Sequence, residues 1–288
     1  MEEIPVIFNP AAHSQKAERL LSRLERLPGC ILMPTRSPGD ERYRAAEAAA
    51  AGFKTVVAAG GDGTINGVVN GMAGTGARLG VLPIGTMNVF ASELGIPQHL
   101  EEAWEVILAG NSRPIDLCSA NDSHFVQLAG VGFDAEVVAR TTRESKMQFG
   151  PLSYIFSAAH VAGATPPSLQ VQTDHGTHEG RFVLIGNGRF YGGPLQFFHD
   201  ARLDDGKLDL LVFKNYSHLD IVRYFGSALA GWHTLQNDVE YLQTTEAIIS
   251  STPPVRYEVD GELSGQSPVR FRISPNPLEV LAPVNGAR

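Results

Sequence analysis

The residues with the most chemical promise form a short glycine-rich run, Gly60-Gly61-Asp62-Gly63-Thr64-Ile65-Asn66. It lies between an apolar run, Thr55 to Ala59, and a stretch in which Ile65, Val68, Val69 and Met72 recur at helical spacing. Glycines let a backbone approach a ligand and supply positive φ. The helix N-terminus beyond them offers free N–H groups and partial positive charge, which suits phosphate. Asp62 is out of place beside phosphate unless it holds a metal through water or orients an attacking group. In a plain strand–helix turn it would be a helix cap. The run lacks the Gly-Lys-Ser/Thr end of a Walker loop, and its spacing differs from the dinucleotide fingerprint. A second polar turn, Pro83-Ile84-Gly85-Thr86-Met87-Asn88, again joins a strand to a helix. Two such loops at the same ends of neighbouring parallel strands make a ligand crevice, and Asn9 and Thr35 follow two more strand-like runs that could reach it.

These turns need a frame. Ile4 to Phe8 is an apolar run closed by Asn9-Pro10. Leu20, Leu21, Leu24 and Leu27 predict a helix that Pro28-Gly29 stops. Gly39 to Ala51 reads as an alanine-rich helix, Thr55 to Ala59 and Leu79 to Pro83 as buried strands. A short helix ends at Leu94, and Glu101 to Ala109 forms another. This alternation predicts an α/β domain with a parallel sheet and helices on both faces. Beyond Asn111 the texture changes. Strands are expected at Ile115 to Ser119, Ser168 to Thr173, Arg181 to Ile185, Leu208 to Phe213, Glu240 to Thr244, Val255 to Val259, Val269 to Ile273 and Leu278 to Leu281. Helices near Ala135 to Thr142, Tyr154 to Ala162 and Leu219 to Ala230 interrupt them. The pattern predicts an antiparallel β-sandwich. The domains are then residues 1–115 and 116–288, with the C-terminal tail a candidate to return to the first.

The chain has 288 residues, 43% of them hydrophobic, enough for about two packed domains without metals or disulfides as staples. The net charge of -8 argues against nucleic acid as a partner. The only cysteines, Cys30 and Cys118, have no metal-like spacing and fit a cytoplasmic protein. The acidic start Met1-Glu2-Glu3 is unlike a signal peptide. No apolar run approaches the roughly 18 residues of a membrane span. Membrane contact is therefore expected to be peripheral, at the inner membrane surface. The nine histidines form no ligand spacing, and no Gly-x-Ser-x-Gly nucleophile motif occurs.

The two loops together resemble the catalytic domain shared by diacylglycerol kinases, sphingosine kinases and small bacterial lipid kinases. The likeness continues in order through Asn9-Pro10, Gly130-Val131-Gly132-Phe133-Asp134-Ala135, Asn187-Gly188-Arg189-Phe190-Tyr191-Gly192-Gly193, Leu203-Asp204-Asp205-Gly206-Lys207-Leu208-Asp209 and Val259-Asp260-Gly261-Glu262. It spans nearly the whole chain. The resemblance implies a nucleotide-binding α/β domain of the NAD kinase/diacylglycerol kinase kind, a β-sandwich, and an active site in the cleft between them. It implies ATP and Mg²⁺ as cofactors and a lipid hydroxyl as acceptor. Thr35, Gly60 to Asn66 and Thr86 would line the ATP site, with Asn9, Gly85 and Asn88 beside them.

The resemblance makes Glu262 the general base, with Asp62 as a second catalytic candidate. Read without it, Asp260-Gly261-Glu262 is a hairpin tip, a common use of Asp-Gly. The run from Arg202 to Lys207 matches a second Mg²⁺ site of bacterial relatives, to which Arg202 and Lys207 could give only backbone carbonyls and Asp205 a carboxylate. The same residues would form a tight turn without metal. Two positions depart from the pattern. Val89 stands where many relatives that phosphorylate diacylglycerol carry Asp, and Gly67 where the helix often carries Glu.

A lipid lip is expected between Gly130 and Ala162. Arg140, Arg143 and Lys146 form a loose basic stripe there, followed by Leu152, Tyr154, Ile155, Phe156 and Val161. The alternative is a solvated helix face with an Arg140–Glu144 pair, followed by a core helix. Glu136 is a candidate contact to the lipid head group by resemblance to sphingosine kinases. Two other functions stay open: an NAD kinase-like enzyme, and a catalytically weakened nucleotide- or lipid-binding regulator. The acceptor lipid is not specified, and a homodimer is compatible with the sequence.

Overall fold

The computed structural model describes residues 3–10, 17–140 and 166–284. The chain forms two compact units, residues 1–115 with 276–288, and residues 116–275.

The first unit holds β1 (Ile4–Phe8), α1 (Ala17–Leu24), β2 (Cys30–Pro34), α2 (Asp40–Ala50), β3 (Thr55–Gly60), α3 (Asp62–Met72), β4 (Arg78–Pro83), α4 (Val89–Glu93), α5 (Leu100–Ala109) and β5 (Ser112–Ile115). Its sheet runs β2-β1-β3-β4, then the late strand Leu278–Leu281, then β5. The late strand is parallel to β4 and antiparallel to β5. All six residues of β3 are buried, so both faces of that strand are covered. That is why the parallel strands read as unbroken apolar runs rather than alternating ones. Each fully buried Val, Leu or Ile contributes about 1.5–3 kcal/mol. Helix α3 presents Ile65, Val68, Val69 and Met72 to this core, and α5 presents Trp104 and Ile107.

Two glycines decide how closely α2 and α3 pack. A Cβ on Gly71 would lie 2.2 Å from the Arg42 carbonyl oxygen, and one on Gly67 would lie 2.8 Å from Glu41 Cβ. Spaced four residues apart, they form one small stripe on α3. The glycine at 67 is thus a packing residue here.

The second unit holds β6 (Cys118–Ala120), β7 (Ser123–Phe125), β8 (Leu128–Val131), α6 (Phe133–Arg140), β9 (Leu169–Thr173), β10 (Gly176–Gly180), β11 (Phe182–Gly186), β12 (Phe190–Tyr191), β13 (Leu195–Gln196), β14 (Leu208–Phe213), α7 (His218–Leu229), β15 (Val239–Thr244), β16 (Glu246–Ser251), β17 (Arg256–Val259), β18 (Glu262–Gln266) and β19 (Val269–Ile273). The late strand above is β20. Two six-stranded antiparallel sheets, β10-β9-β16-β19-β6-β7 and β15-β14-β11-β8-β17-β18, make a sandwich. One core joins them, with Phe125, Val171, Ile249 and Phe271 from the first and Val131, Ile185, Leu210 and Val259 from the second. The second sheet's outer face packs Leu184, Leu211 and Phe213 against Phe133 of α6 and Ile221 and Tyr224 of α7.

The structure corrects several expectations. The run Ile115 to Ser119 is not one strand. It breaks at Asp116-Leu117, and the two pieces belong to different units. At Asp116 the backbone leaves the ladder, because its N–H donates to the Leu203 carbonyl and its C=O accepts the Asn187 amide at 3.0 Å, while its carboxylate accepts the Gly206 N–H at 2.7 Å. Helix α3 begins at Asp62, so Asp62, Gly63 and Thr64 are already helical rather than in the turn. Strands β7, β8, β10, β12, β13, β16 and β18 escaped the sequence reading, being short or only weakly alternating. The helix expected at Tyr154 to Ala162, with Arg143, Lys146, Leu152, Ile155 and Phe156, lies outside the described residues. Among the described residues no helix is long and apolar enough to cross a membrane.

Candidate functional site

In the first unit, β1 to β4 are parallel neighbours, so their C-terminal ends share one edge of the sheet. Asn9, Thr35, Gly61 and Ile84 follow those four ends directly. The Thr35 N–H reaches the Phe8 carbonyl at 2.9 Å, and the Ile84 N–H reaches the Gly60 carbonyl at 3.2 Å. The strand order reverses direction between β1 and β3, the switch point where open α/β sheets bind ligands.

Close backbone approach explains the glycines. A Cβ on Gly85 would lie 2.4 Å from Gly61 Cα, so the two loops touch main chain to main chain. A Cβ on Gly60 would lie 2.3 Å from Thr64 Oγ1. Gly61 caps α3 in extended conformation without a side-chain bond, which leaves the first-turn N–H groups of α3 without a side-chain cap from that residue. The donor set fits a polyphosphate: small residues, backbone amides and a helix N-terminus at one sheet edge.

Asp62 does not cap its own helix. Its Oδ1 accepts the Phe90 N–H at 3.2 Å, in the first turn of α4. Burial raises the Asp62 carboxyl above its usual range, and the Phe90, Val89 and Asn88 amides partly offset that. Asn88 sits at φ 49° and is buried. Its Oδ1 accepts the Gly85 N–H at 2.9 Å, while Nδ2 donates to Gly85 O at 3.1 Å and Gln98 Oε1 at 2.9 Å. Asn88 therefore shapes the second loop from inside. Thr86 and Gly63 are exposed, whereas Thr64 and Ile65 are buried under the loop. The Asn9 amide donates to Glu41 Oε1 at 3.1 Å. Glu41 and Gln98 were missed by sequence reasoning, and nothing in their local spacing marks them.

In the second unit, Glu262 opens β18 directly after a two-residue turn, with Val259 and Glu262 paired across it. Asp260 at φ 48° and Gly261 at φ 82° are both left-handed, which is a type I′ hairpin. The Asp260 carboxylate accepts the N–H groups of Val126 and Gln127 at 3.0 Å and of Leu128 at 3.1 Å. The Asp260 N–H donates to the Leu128 carbonyl at 2.8 Å. Glu262 itself is exposed. The hairpin reading and a base role are thus not exclusive.

The Arg202–Lys207 segment is a turn in which Asp205 Oδ1 accepts the Lys207 N–H at 3.1 Å and Lys207 Nζ donates to Gln243 at 3.2 Å. Arg202 lies 3.8 Å from Asp204 and is largely exposed. Burial raises the neighbouring Asp116 carboxyl, and the charges of Asp205 and Asp204 push it further. A cation would relieve that repulsion. Among the described residues no three His, Cys, Asp or Glu side chains converge on a metal-sized site. A hard cation would fit here through Asp205, main-chain carbonyls and water. Glu136, on α6, pairs with Arg256 at 3.5 Å.

Comparison with known proteins identifies the family. Residues 3–120 match the diacylglycerol kinase catalytic domain. Residues 127–282 match the YegS C-terminal NAD kinase beta sandwich-like domain. A diacylglycerol kinase of Bacillus subtilis is 32% identical over 282 residues, covering 94% of this chain and 93% of that protein. An uncharacterized protein of Synechocystis is 31% identical over 247 residues, 82% of this chain, and the matched region is only 56% of that longer relative. The crystal structure of a diacylglycerol kinase from Bacillus anthracis superposes with a TM-score of 0.80 at 25% identity, covering 98% of each chain. The chain belongs to the diacylglycerol kinase family.

Proposed function

We propose that this member of the family is an ATP- and Mg²⁺-dependent lipid kinase that moves a γ-phosphoryl group to a lipid hydroxyl, with Glu262 as general base. The observation that carries the reading is the meeting of Asn9, Thr35, the Gly61–Gly85 contact and the α3 N-terminus at one sheet edge. Phosphoryl transfer depends mostly on positioning and charge neutralisation, and Mg²⁺ supplies the latter when bound. Gly61, Gly85 and the first turn of α3 would hold the phosphates by main-chain N–H groups. Asp62 would fix the distance between the two loops through Phe90 while keeping its second oxygen for water. A lipid hydroxyl needs a proton acceptor within hydrogen-bond reach. Glu262 is an exposed carboxylate on a turn that Asp260 pins at three amides. Asp205, with the carbonyls of Arg202 and Lys207, would hold a second Mg²⁺ in a structural role. The acceptor brings the chain to the inner membrane surface from the cytoplasm, as a monomer or a homodimer.

Incubation with labelled ATP, Mg²⁺ and a total lipid extract should yield a labelled lipid. Glu262→Gln should keep the fold and lose turnover, and a variant with wild-type turnover would overturn the base assignment. Labelled NAD in place of lipid would make the chain an NAD kinase. ATP binding by calorimetry without any product would make it a binding protein.

A further inference from the structure

Beneath the Asp260-Gly261 turn the second unit buries two carboxyl groups side by side. Glu258 on β17 is 0% exposed and Asp134 on α6 is 2% exposed. Glu258 Oε2 accepts the Gly261 N–H at 2.7 Å. Glu258 Oε1 is buried, and no protein N–H reaches it. The group facing Glu258 is the Asp134 carboxyl, which also takes the Tyr191 hydroxyl on Oδ1. Gly130 makes room for it, because a Cβ there would lie 2.4 Å from Asp134 Oδ2. Two facing carboxylates in such a site cannot both be charged. One proton between them satisfies every atom. Glu258 Oε1–H donates to Asp134, Tyr191 donates to Asp134, and Glu258 Oε2 receives Gly261.

We propose that Glu258 is a positioning residue, a neutral carboxylic acid that bridges Asp134 and the Gly261 N–H and so fixes the turn that presents Glu262. The inference rests on the reading of Glu262 as base. Asp260 clamps the turn from one side through the three amides of Val126, Gln127 and Leu128, and Glu258 clamps it from the other. Burial pushes the Glu258 carboxyl well above its usual range, and repulsion from Asp134 and Asp260 adds to this. The other titratable groups on elements packed against β17 are Glu136 and Arg140 on α6, His124 on β7 and Glu262 on β18. The cation next to Glu258 in its own strand, Arg256, is taken up by Glu136 at 3.5 Å.

The test compares Glu258→Gln with Glu258→Leu. Glutamine reproduces the neutral bridge, with an N–H for Asp134 and an oxygen for Gly261. Leucine leaves Gly261 and Asp134 without it. Glu258→Gln should keep kcat within about 3-fold of wild type, and Glu258→Leu should lose about 100-fold in kcat, the scale of a misplaced catalytic group. The KM for ATP should move in neither. Hydrogen exchange at the Gly261 amide gives a readout independent of kinase chemistry: protected in wild type and Glu258→Gln, fast in Glu258→Leu. A folded Glu258→Leu with wild-type kcat and a protected Gly261 overturns the proposal. So does Glu258→Gln with the kcat of Glu258→Leu, because an ionised carboxylate would then be required. If Glu262→Gln is fully active while Gly261 exchange follows the pattern above, the base reading fails and the positioning of the turn stands.

Discussion

The Asp62 carboxylate accepts the Phe90 N–H at 3.2 Å, tying the start of α3 to the start of α4 across 28 residues of chain. An acidic side chain in a glycine-rich loop thereby uses one oxygen on a neighbouring helix N-terminus, where a negative charge is favoured. Asp62→Asn keeps an acceptor oxygen and removes the charge. It should melt within a few degrees of wild type and lose most turnover. Asp62→Ala should also lose about 1–2 kcal/mol of stability, as the loss of a cap does. Urea denaturation alongside the kinase assay separates the two effects. Equal turnover in Asp62→Asn and wild type would confine Asp62 to the structural role.

The α2–α3 contact predicts an order of damage. Gly71→Ala drives a Cβ into the Arg42 carbonyl oxygen at 2.2 Å, which only a backbone shift can relieve. Overpacking of this kind costs about 1–3 kcal/mol. Gly67→Ala approaches Glu41 Cβ at 2.8 Å, a milder clash than 2.2 Å, so it should cost less, and any loss should include a weaker Asn9–Glu41 bond. Thermal melts of the two variants provide the comparison, and a milder Gly71→Ala would contradict the packing argument.

Mg²⁺ should raise the melting temperature of the wild-type protein. It should do so much less for Asp205→Asn, because Asp205 is the one carboxylate assigned to that cation. ATP affinity should be the same in both. Calorimetric titration of ATP after chelation, beside melts with and without Mg²⁺, reads both quantities. A melting temperature indifferent to Mg²⁺ in wild type would remove the metal from the Arg202–Lys207 turn.

Glu258 and Asp134 should set a pH dependence of stability. Burial raises both carboxyls, so the folded state holds a proton that the unfolded chain releases near about pH 4. Their contribution is therefore fully present below that pH and is lost as pH rises through the folded values. Glu258→Gln removes one titrating group and should flatten the decline from about pH 4 upward. Denaturation at stepped pH measures the slope, and identical slopes in the two proteins would exclude a shared proton. Asp238 behaves oppositely. The Arg223 guanidinium holds its carboxyl far below the usual range, so that contribution is lost as pH falls.

Much of the glycine-rich loop at Gly60 to Asn66 was legible in the sequence because its constraints are local. Gly60, Gly61 and Gly85 announce close backbone approach, and the apolar runs before them announce buried parallel strands. Asp260-Gly261 announces a two-residue hairpin, since only such residues accept two left-handed conformations in succession. The ordered set of motifs also carried the family. Other features were invisible because they depend on residues far apart in the chain. Nothing near Asp62 says that its partner is Phe90, and nothing near Gly67 says that Glu41 lies against it. Asp116 looked like the middle of a strand until Gly206, 90 residues on, supplied its hydrogen bond.

The sequence by itself determined the longer, strongly patterned elements, the α/β-then-β order and the glycine turns, because propensity, periodicity and φ are properties of short segments. Tertiary structure alone decided which groups meet. It inserted β20 from the end of the chain between β4 and β5 of the first unit's sheet, set Gly61 against Gly85, and buried Glu258 beside Asp134. Those outcomes follow from packing and desolvation, which act on neighbours in space and leave no mark in local spacing.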